Sequence, residues 1–165
     1  MSLLSRPSDP PEPETLQVDR ILLASEGRRI PGAAVDLASR LAQQGGGAVH
    51  VFSVARVWGT GLGLPNPGLL PSRREWDEQR AVVGDAVKAL KRSGVEATGQ
   101  VLATRRATKR IVREAQRHGC GAIVMAADPP RNRLLADLMW SQEPYRVRRR
   151  ARIPVYLVTA DGLQR

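Results

Sequence analysis

The sequence predicts a single α/β domain built on a five-stranded parallel sheet with helices on both faces. Two observations carry that prediction. Short apolar runs alternate along the chain with longer amphipathic stretches, the pattern of strands joined by helical crossovers. The apolar runs are also continuous instead of alternating with polar residues, as strands buried on both faces require. The length, 165 residues, fits one domain with a sizeable core.

The elements follow in order. Residues 1–17 hold four prolines and three acids with little to bury, and are expected to be a disordered tail, leaving 18–160 as the domain. VDRILLAS (Val18–Ser25) reads as the first strand and ends in a Glu-Gly turn. Gly32–Gln44 reads as a helix with Ala34, Leu37, Ala38 and Leu41 in one stripe, stopped by the glycines at 45–47. Ala48–Val54 is the second strand, and the Gly/Pro-rich segment Ala55–Pro71 reads as a long loop. Arg73–Arg92 is a helix turning Trp76, Val83, Val87 and Leu90 inward, followed by a strand at Val95–Ala103. Ala107–His118 is the third helix, with Ile111, Val112 and Ala115 as its core stripe. Gly121–Asp128 is the fourth strand, a short helix lies near Gln142–Arg150, and Pro154–Thr159 closes the sheet.

Composition bounds the function. Hydrophobic residues at 42% and charged residues at 25% are those of a globular protein in water, and no apolar run approaches the ~20 residues of a membrane span. The start of the chain lacks the apolar core of a signal peptide, and the lone Cys120 excludes an internal disulfide, so a cytoplasmic location is expected. The net charge of +10 is concentrated: Arg105–Arg152 holds 13 basic and 4 acidic residues. Such a stretch suits phosphates, anionic lipid, nucleic acid or an acidic protein partner. The plainer reading is a solvated face, because 23 of the 26 basic residues are arginine, as a codon bias would give.

Several chemistries find no support. GTGLG (Gly59–Gly63) continues with Leu64 and does not open a helix, so it is not a dinucleotide fingerprint. There is no phosphate-loop lysine motif, nucleophile elbow or carboxylate pair, and no catalytic residue is expected. His50, His118 and Cys120 are dispersed along the chain, too few for an expected metal site. Aromatics at 4% and the lack of a finger or RNA-binding signature argue against specific nucleic-acid recognition. Arg106, Arg110, Arg113 and Arg117 line one face of the third helix as its wet side, with Glu114 pairing to Arg110. In RVRRRAR (Arg146–Arg152), Val147 and Ala151 are expected to face the core beside Trp140.

In an open parallel sheet a ligand sits at the carboxyl ends of the strands, where the strand order reverses. The first strand delivers Ser25, Glu26 and Gly27 there, the second Val54, and the fourth Met125, Ala126, Ala127 and Asp128. Beyond them lie Arg131 and Arg133, suited to hold phosphate through bidentate contacts, and Ser141 with Gln142 at the expected start of the last helix.

Four segments, ILLASEG (Ile21–Gly27), VLATRRATKRIV (Val101–Val112), GAIVMAADPP (Gly121–Pro130) and IPVYLV (Ile153–Val158), occur in an order and spacing that resembles the universal stress protein family. The resemblance runs from Val18 to Thr159. It implies the strand order 3-2-1-4-5, a cleft between the first and fourth strands, and a stress-response regulatory protein binding an adenine nucleotide such as ATP. Nucleotide-binding members carry a glycine signature after the fourth strand that lets backbone amides reach the phosphates. Here no glycine occurs from Ala122 to Asp161, Ala126 and Pro129 stand at the first two glycine positions, and Glu26 replaces the family's acidic residue. Weak binding of ATP or a related phosphorylated ligand, through side chains instead of amides, is the expectation, with a nucleotide-independent dimeric adaptor as the alternative. The resemblance also implies a homodimer paired through Pro154–Thr159.

Overall fold

The computed structural model describes residues 18–56, 70–128, 142–160 and 162–164. Expectations for the tail 1–17, most of the 55–71 loop, Pro129, Arg131, Arg133, Trp140 and Ser141 lie outside the described residues.

β1 (Arg20–Ser25) is the central strand. It runs parallel to β2 (Ala48–Arg56) on one side and to β4 (Ala122–Ala126) on the other. β3 (Glu96–Thr104) adds to β2, and β5 (Val155–Thr159) to β4, giving the parallel order 3-2-1-4-5. Position along the strands is fixed by register: Leu22 lies opposite His50, which lies opposite Thr98.

The sequence reading stops at Thr159, but the chain turns back as β6 (Gly162–Gln164), antiparallel to β5 over Leu157–Thr159. The outer edge of the sheet on this side is therefore shared between β6 and the start of β5. Tyr156, at 9% exposure, packs in the core instead of facing out from a bare edge.

Both faces of β1, β2, β4 and β5 are covered, which is why these strands are largely apolar, whereas the edge strand β3 is half-exposed and mixed in sequence. On one face Ile21, Leu23, Val49, Val51 and Val124 pack under α1 (Gly32–Gly45) and α2 (Arg73–Arg92). On the other Leu22, Ala24, Phe52, Ile123 and Met125 pack under α3 (Ala107–Arg117) and α4 (Glu143–Arg150). Ile111 is fully buried in this second layer, and cutting it to alanine would cost about 2–5 kcal/mol of stability.

Local chemistry sets the helix ends. α1 stops at Gly46 in the left-handed conformation (φ 65°), where the N–H of Gly47 donates to Ala42 O at 2.8 Å. A Cβ at Gly47 would fall 1.8 Å from the carbonyl oxygen of Asp19, so only glycine lets this turn press against the start of β1. α2 opens on a reciprocal capping box between Ser72 and Glu75, a motif legible as S-x-x-E and worth about 1 kcal/mol at the cap. Its buried stripe is Val83, Ala86 and Leu90; Trp76 is half-buried with the Arg80 guanidinium 5.6 Å from its ring. Val147 of α4 is fully buried and Ala151 packs beside it, as the pattern predicts.

Candidate functional site

The strand order reverses at β1, which has β2 and β4 as neighbours, and the candidate cleft lies at the carboxyl ends of β1 and β4. The chain leaves β1 through a tight turn. Ser25 Oγ donates to the carbonyl of Arg28 at 2.5 Å and accepts from the N–H of Gly27 at 3.2 Å, so this hydroxyl serves the turn. Gly27 has φ +106°, which L side chains rarely adopt, and a Cβ there would meet Val54 O at 3.0 Å.

Glu26 is 1% exposed, and Arg28 lies against its carboxylate. Arg28 Nε donates to Glu26 Oε1 at 2.5 Å while its Nη2 donates to Asp128 Oδ2 at 3.0 Å, so a single guanidinium ties the end of β1 to the end of β4. Burial works against the charged form of Arg28, but the bond to Asp128 and the two carboxylate fields outweigh it and raise its pKa further. Glu26 Oε2 is buried without a hydrogen-bond partner among the described residues.

Three more side chains brace the turn. Arg56 Nε donates to the carbonyl of Glu26 at 2.7 Å, from the last residue of β2. Gln79 of α2 donates to Gly27 O at 2.9 Å and accepts from Ser53 Oγ at 2.6 Å. Tyr145 of α4 donates its hydroxyl to Asp128 O at 2.5 Å, and burial pushes this phenol up, which keeps it protonated to donate.

The sequence-predicted residues thus divide. Ser25, Glu26, Gly27, Ala126, Ala127 and Asp128 do converge on one end of the sheet. Val54 and Met125 are fully buried, and their side chains pack in the layer under α3 and α4. Gln142 stands at the α4 cap without a side-chain capping bond. Arg28, Arg56, Gln79 and Tyr145 were missed. A basic residue two positions beyond a strand-end acid is the signal that could have found Arg28. Arg56 and Gln79 come from segments that only the fold brings near.

A second feature is a basic cavity of about 810 Å³ between the start of α3 and the length of α4. It is lined by Arg105, Arg106, Lys109, Arg146, Arg149 and Arg150, together with Thr108 and Glu143. Glu143 accepts from both the N–H and the hydroxyl of Thr108, so a carboxylate already sits at the first turn of α3, where the helix dipole favours an anion. Part of the positive stretch is therefore a shaped surface and not merely a dispersed wet face.

A third feature corrects the expectation that the histidines are dispersed. His50 on β2 and His118 just beyond α3 stack with ring centroids 3.8 Å apart and planes 23° from parallel. Glu114, fully buried, lies one helical turn before His118, with Oε2 3.4 Å from His118 Nε2. Its ion pair with Arg110 forms as the spacing predicts, at 2.9 Å, but Glu114 itself points into the protein. Burial, and then His118, lower the pKa of His50 against the opposing pull of Glu114. Cys120 is buried apart from this group, its thiol pushed up to about 11 by burial, as befits a packing residue. Among the described residues no helix is long and apolar enough to cross a membrane.

Comparison with known proteins agrees with this architecture. The model of the universal stress protein family matches residues 17–159. A universal stress protein family structure from Burkholderia pseudomallei aligns with 24% identity and a TM-score of 0.63, covering 87% of this chain and 97% of its own. The Archaeoglobus fulgidus universal stress protein in complex with dAMP aligns at 19% identity and a TM-score of 0.61, over 84% of this chain and 95% of its own. A universal stress protein in complex with cAMP aligns at 16% identity and a TM-score of 0.58, over 86% and 97%. A search of curated proteins gives no match. The family match spans all five parallel strands from the start of β1 to the end of β5, and this chain belongs to the universal stress protein family.

Proposed function

We propose that this chain is a regulatory stress-response module that takes an adenine nucleotide, or a related phosphorylated ligand, at the carboxyl ends of β1 and β4, without turning it over. The observation that carries the reading is the Glu26–Arg28–Asp128 bridge: a buried acid with one unpartnered oxygen, joined across the strand-order reversal by one arginine. Carboxylates here suit ribose hydroxyls or an exocyclic amine, which only donate to them. An arginine that already holds two carboxylates can exchange one for a phosphate through the same fork geometry. Structures of family members with dAMP and cAMP support an adenine ligand.

Binding is weaker than in relatives with the full glycine signature, for two reasons. The ligand must displace part of an existing ion-pair bridge. Ala126 also carries a Cβ where those relatives have glycine, which holds a phosphate away from the backbone amides. Arg131, Arg133 and Ser141 remain the proposed phosphate contacts on the connection beyond Asp128. Ligand binding would act by stabilising the folded state by mass action.

The test is a thermal-shift titration with ATP, AMP, cAMP and cyclic dinucleotides, on the wild type and on Arg28→Gln. A saturable rise in midpoint with at least one adenine ligand, reduced in Arg28→Gln, is expected. No response to any of them would overturn the reading and favour the nucleotide-independent adaptor. Tight stoichiometric ATP binding by calorimetry would overturn the weak-affinity part.

We further propose a homodimer built on the Pro154–Thr159 edge. With β6 covering Leu157–Thr159, the pairing surface includes β6, whose Leu163 is 54% exposed. An apolar side chain on a short open edge is an association surface. Mass measurement at low and moderate salt, with Leu163→Glu as the disrupting variant, tests this. A wild type that stays monomeric at both salt levels would defeat it.

A further inference from the structure

We propose that His50, Glu114 and His118 form a binding site for one divalent transition-metal ion of the zinc class, at the end of the sheet opposite the nucleotide cleft. One ligating atom from each of the three lies within 4.8 Å of those of the other two. Two imidazole nitrogens and one carboxylate oxygen are a borderline donor set that suits zinc, with a fourth position left for water.

Placement follows from the fold. His50 is the third residue of β2, opposite the third residues of β1 and β3, so it sits near the amino ends of the strands. α3 runs back along the sheet and delivers Glu114 and His118, four residues apart and therefore on one helical face, to that same end.

The polar bookkeeping of the cluster points to a missing electrophile. His50 Nδ1 is engaged by Thr98 Oγ1 at 2.8 Å, while its Nε2 is buried without a partner. Arg110 at 2.9 Å and Arg117 at 3.6 Å both address Oε1 of Glu114. Among the described residues Oε2 faces His118, at 3.4 Å. Buried lone pairs are nearly always partnered, and here a ring nitrogen and a carboxylate oxygen are left over side by side. Donors held about 2.0–2.2 Å from a tetrahedral ion stand about 3.3–3.5 Å apart, which the 3.4 Å Glu114–His118 spacing matches, while the stacked imidazoles, with planes 23° from parallel, must splay for both nitrogens to reach the same ion. Thr98 fixes the His50 ring as an outer partner of the kind metal-bound histidines use.

A cavity of about 400 Å³, lined in part by His50, Thr98, Glu96 and His118, connects the cluster to solvent. Arg20 also lines it and Arg110 and Arg117 lie behind Glu114, so these three cations oppose a metal while Glu96 and Glu114 attract it. The two arginines lie near one carboxylate oxygen and leave the other facing His118.

The experiment uses the untagged full-length chain, stripped with a chelator and titrated with Zn(II) against a chromophoric competitor. The chain has only two histidines and one cysteine, so a site with two imidazole donors must use both histidines of this cluster. One Zn(II) per chain is expected, and Co(II) in its place should show the intense visible bands of four-coordination. His118→Asn alters a side chain that is 34% exposed, so the fold should persist by circular dichroism. Its affinity should fall by more than the ~10–100-fold that loss of an outer partner costs, and Thr98→Val should fall within that range. His50→Gln gives a second reading if His118→Asn is unstable. Absence of stoichiometric Zn(II) binding by the wild type would overturn the proposal, as would binding unchanged in both histidine variants.

Discussion

Glu26 and Glu114 are two buried carboxylates at opposite ends of one sheet, and their pairing differs in a way that separates two designs. Glu26 is answered by an arginine two residues away that also reaches the end of a different strand, so its ion pair is part of a clamp across the cleft. Glu114 is answered by arginines one turn away on its own helix, and its second oxygen faces His118 Nε2. In the first arrangement the neighbouring arginine that neutralises the acid is shared with a second carboxylate from a distant strand, at the site where a ligand would enter. The second neutralises the acid locally and leaves an oxygen among other lone pairs.

This difference predicts an asymmetry in stability. Arg28→Ala leaves Glu26, at 1% exposure, without its cation, and breaking such a pair costs about 3–5 kcal/mol. Urea unfolding of Arg28→Ala should show a loss of that size, with Arg28→Lys recovering part of it. A loss under about 1 kcal/mol would mean that water or another cation reaches Glu26 and that the clamp is not a unit.

Arg110→Ala removes one cation from Glu114, but Arg117 and His118 remain within 3.6 Å. The expected loss is smaller, about 1–3 kcal/mol. If Arg110→Ala proves more costly than Arg28→Ala, the contrast between one shared cation and several local ones fails. A double-mutant cycle of Arg110 with Glu114 would then sharpen the comparison by isolating their coupling.

Tyr145→Phe removes only the hydroxyl that holds the carbonyl of Asp128, a neutral hydrogen bond worth about 0.5–1.5 kcal/mol. Its larger value is diagnostic. If the end of β4 is positioned by this bond, Tyr145→Phe should weaken ligand-induced stabilisation by more than its effect on the unliganded midpoint. Equal effects on both would place Tyr145 outside the clamp.

Much of this was legible from the chain. The short continuous apolar runs located the five parallel strands, although β2 extends to Arg56, into residues read as loop. The glycines after Gln44 marked a helix end because they are a local device, and the S-x-x-E at Ser72 is another that the sequence reading did not use. β6 escaped because three residues, GLQ, carry no periodicity of their own and become a strand only by pairing with β5. Glu114 had a readable signal: it falls three residues after Ile111 and one before Ala115, inside the apolar stripe, yet its charge invited the reading of a solvated ion pair. His50 had none, because β2 is buried on both faces and alternation cannot say which layer a residue enters.

The sequence by itself determined the α/β class, the order of elements and which end of the sheet holds Glu26. These are set by hydrophobic pattern and turn chemistry, which act over a few residues. Only the tertiary structure decided that Arg28 spans 100 residues of sequence to Asp128, and that His50 meets a pair of residues on α3. The physical reason is that buried charges and lone pairs take whatever partner the packed fold brings within about 3 Å, and that partner is fixed by crossover geometry and strand register, not by spacing along the chain.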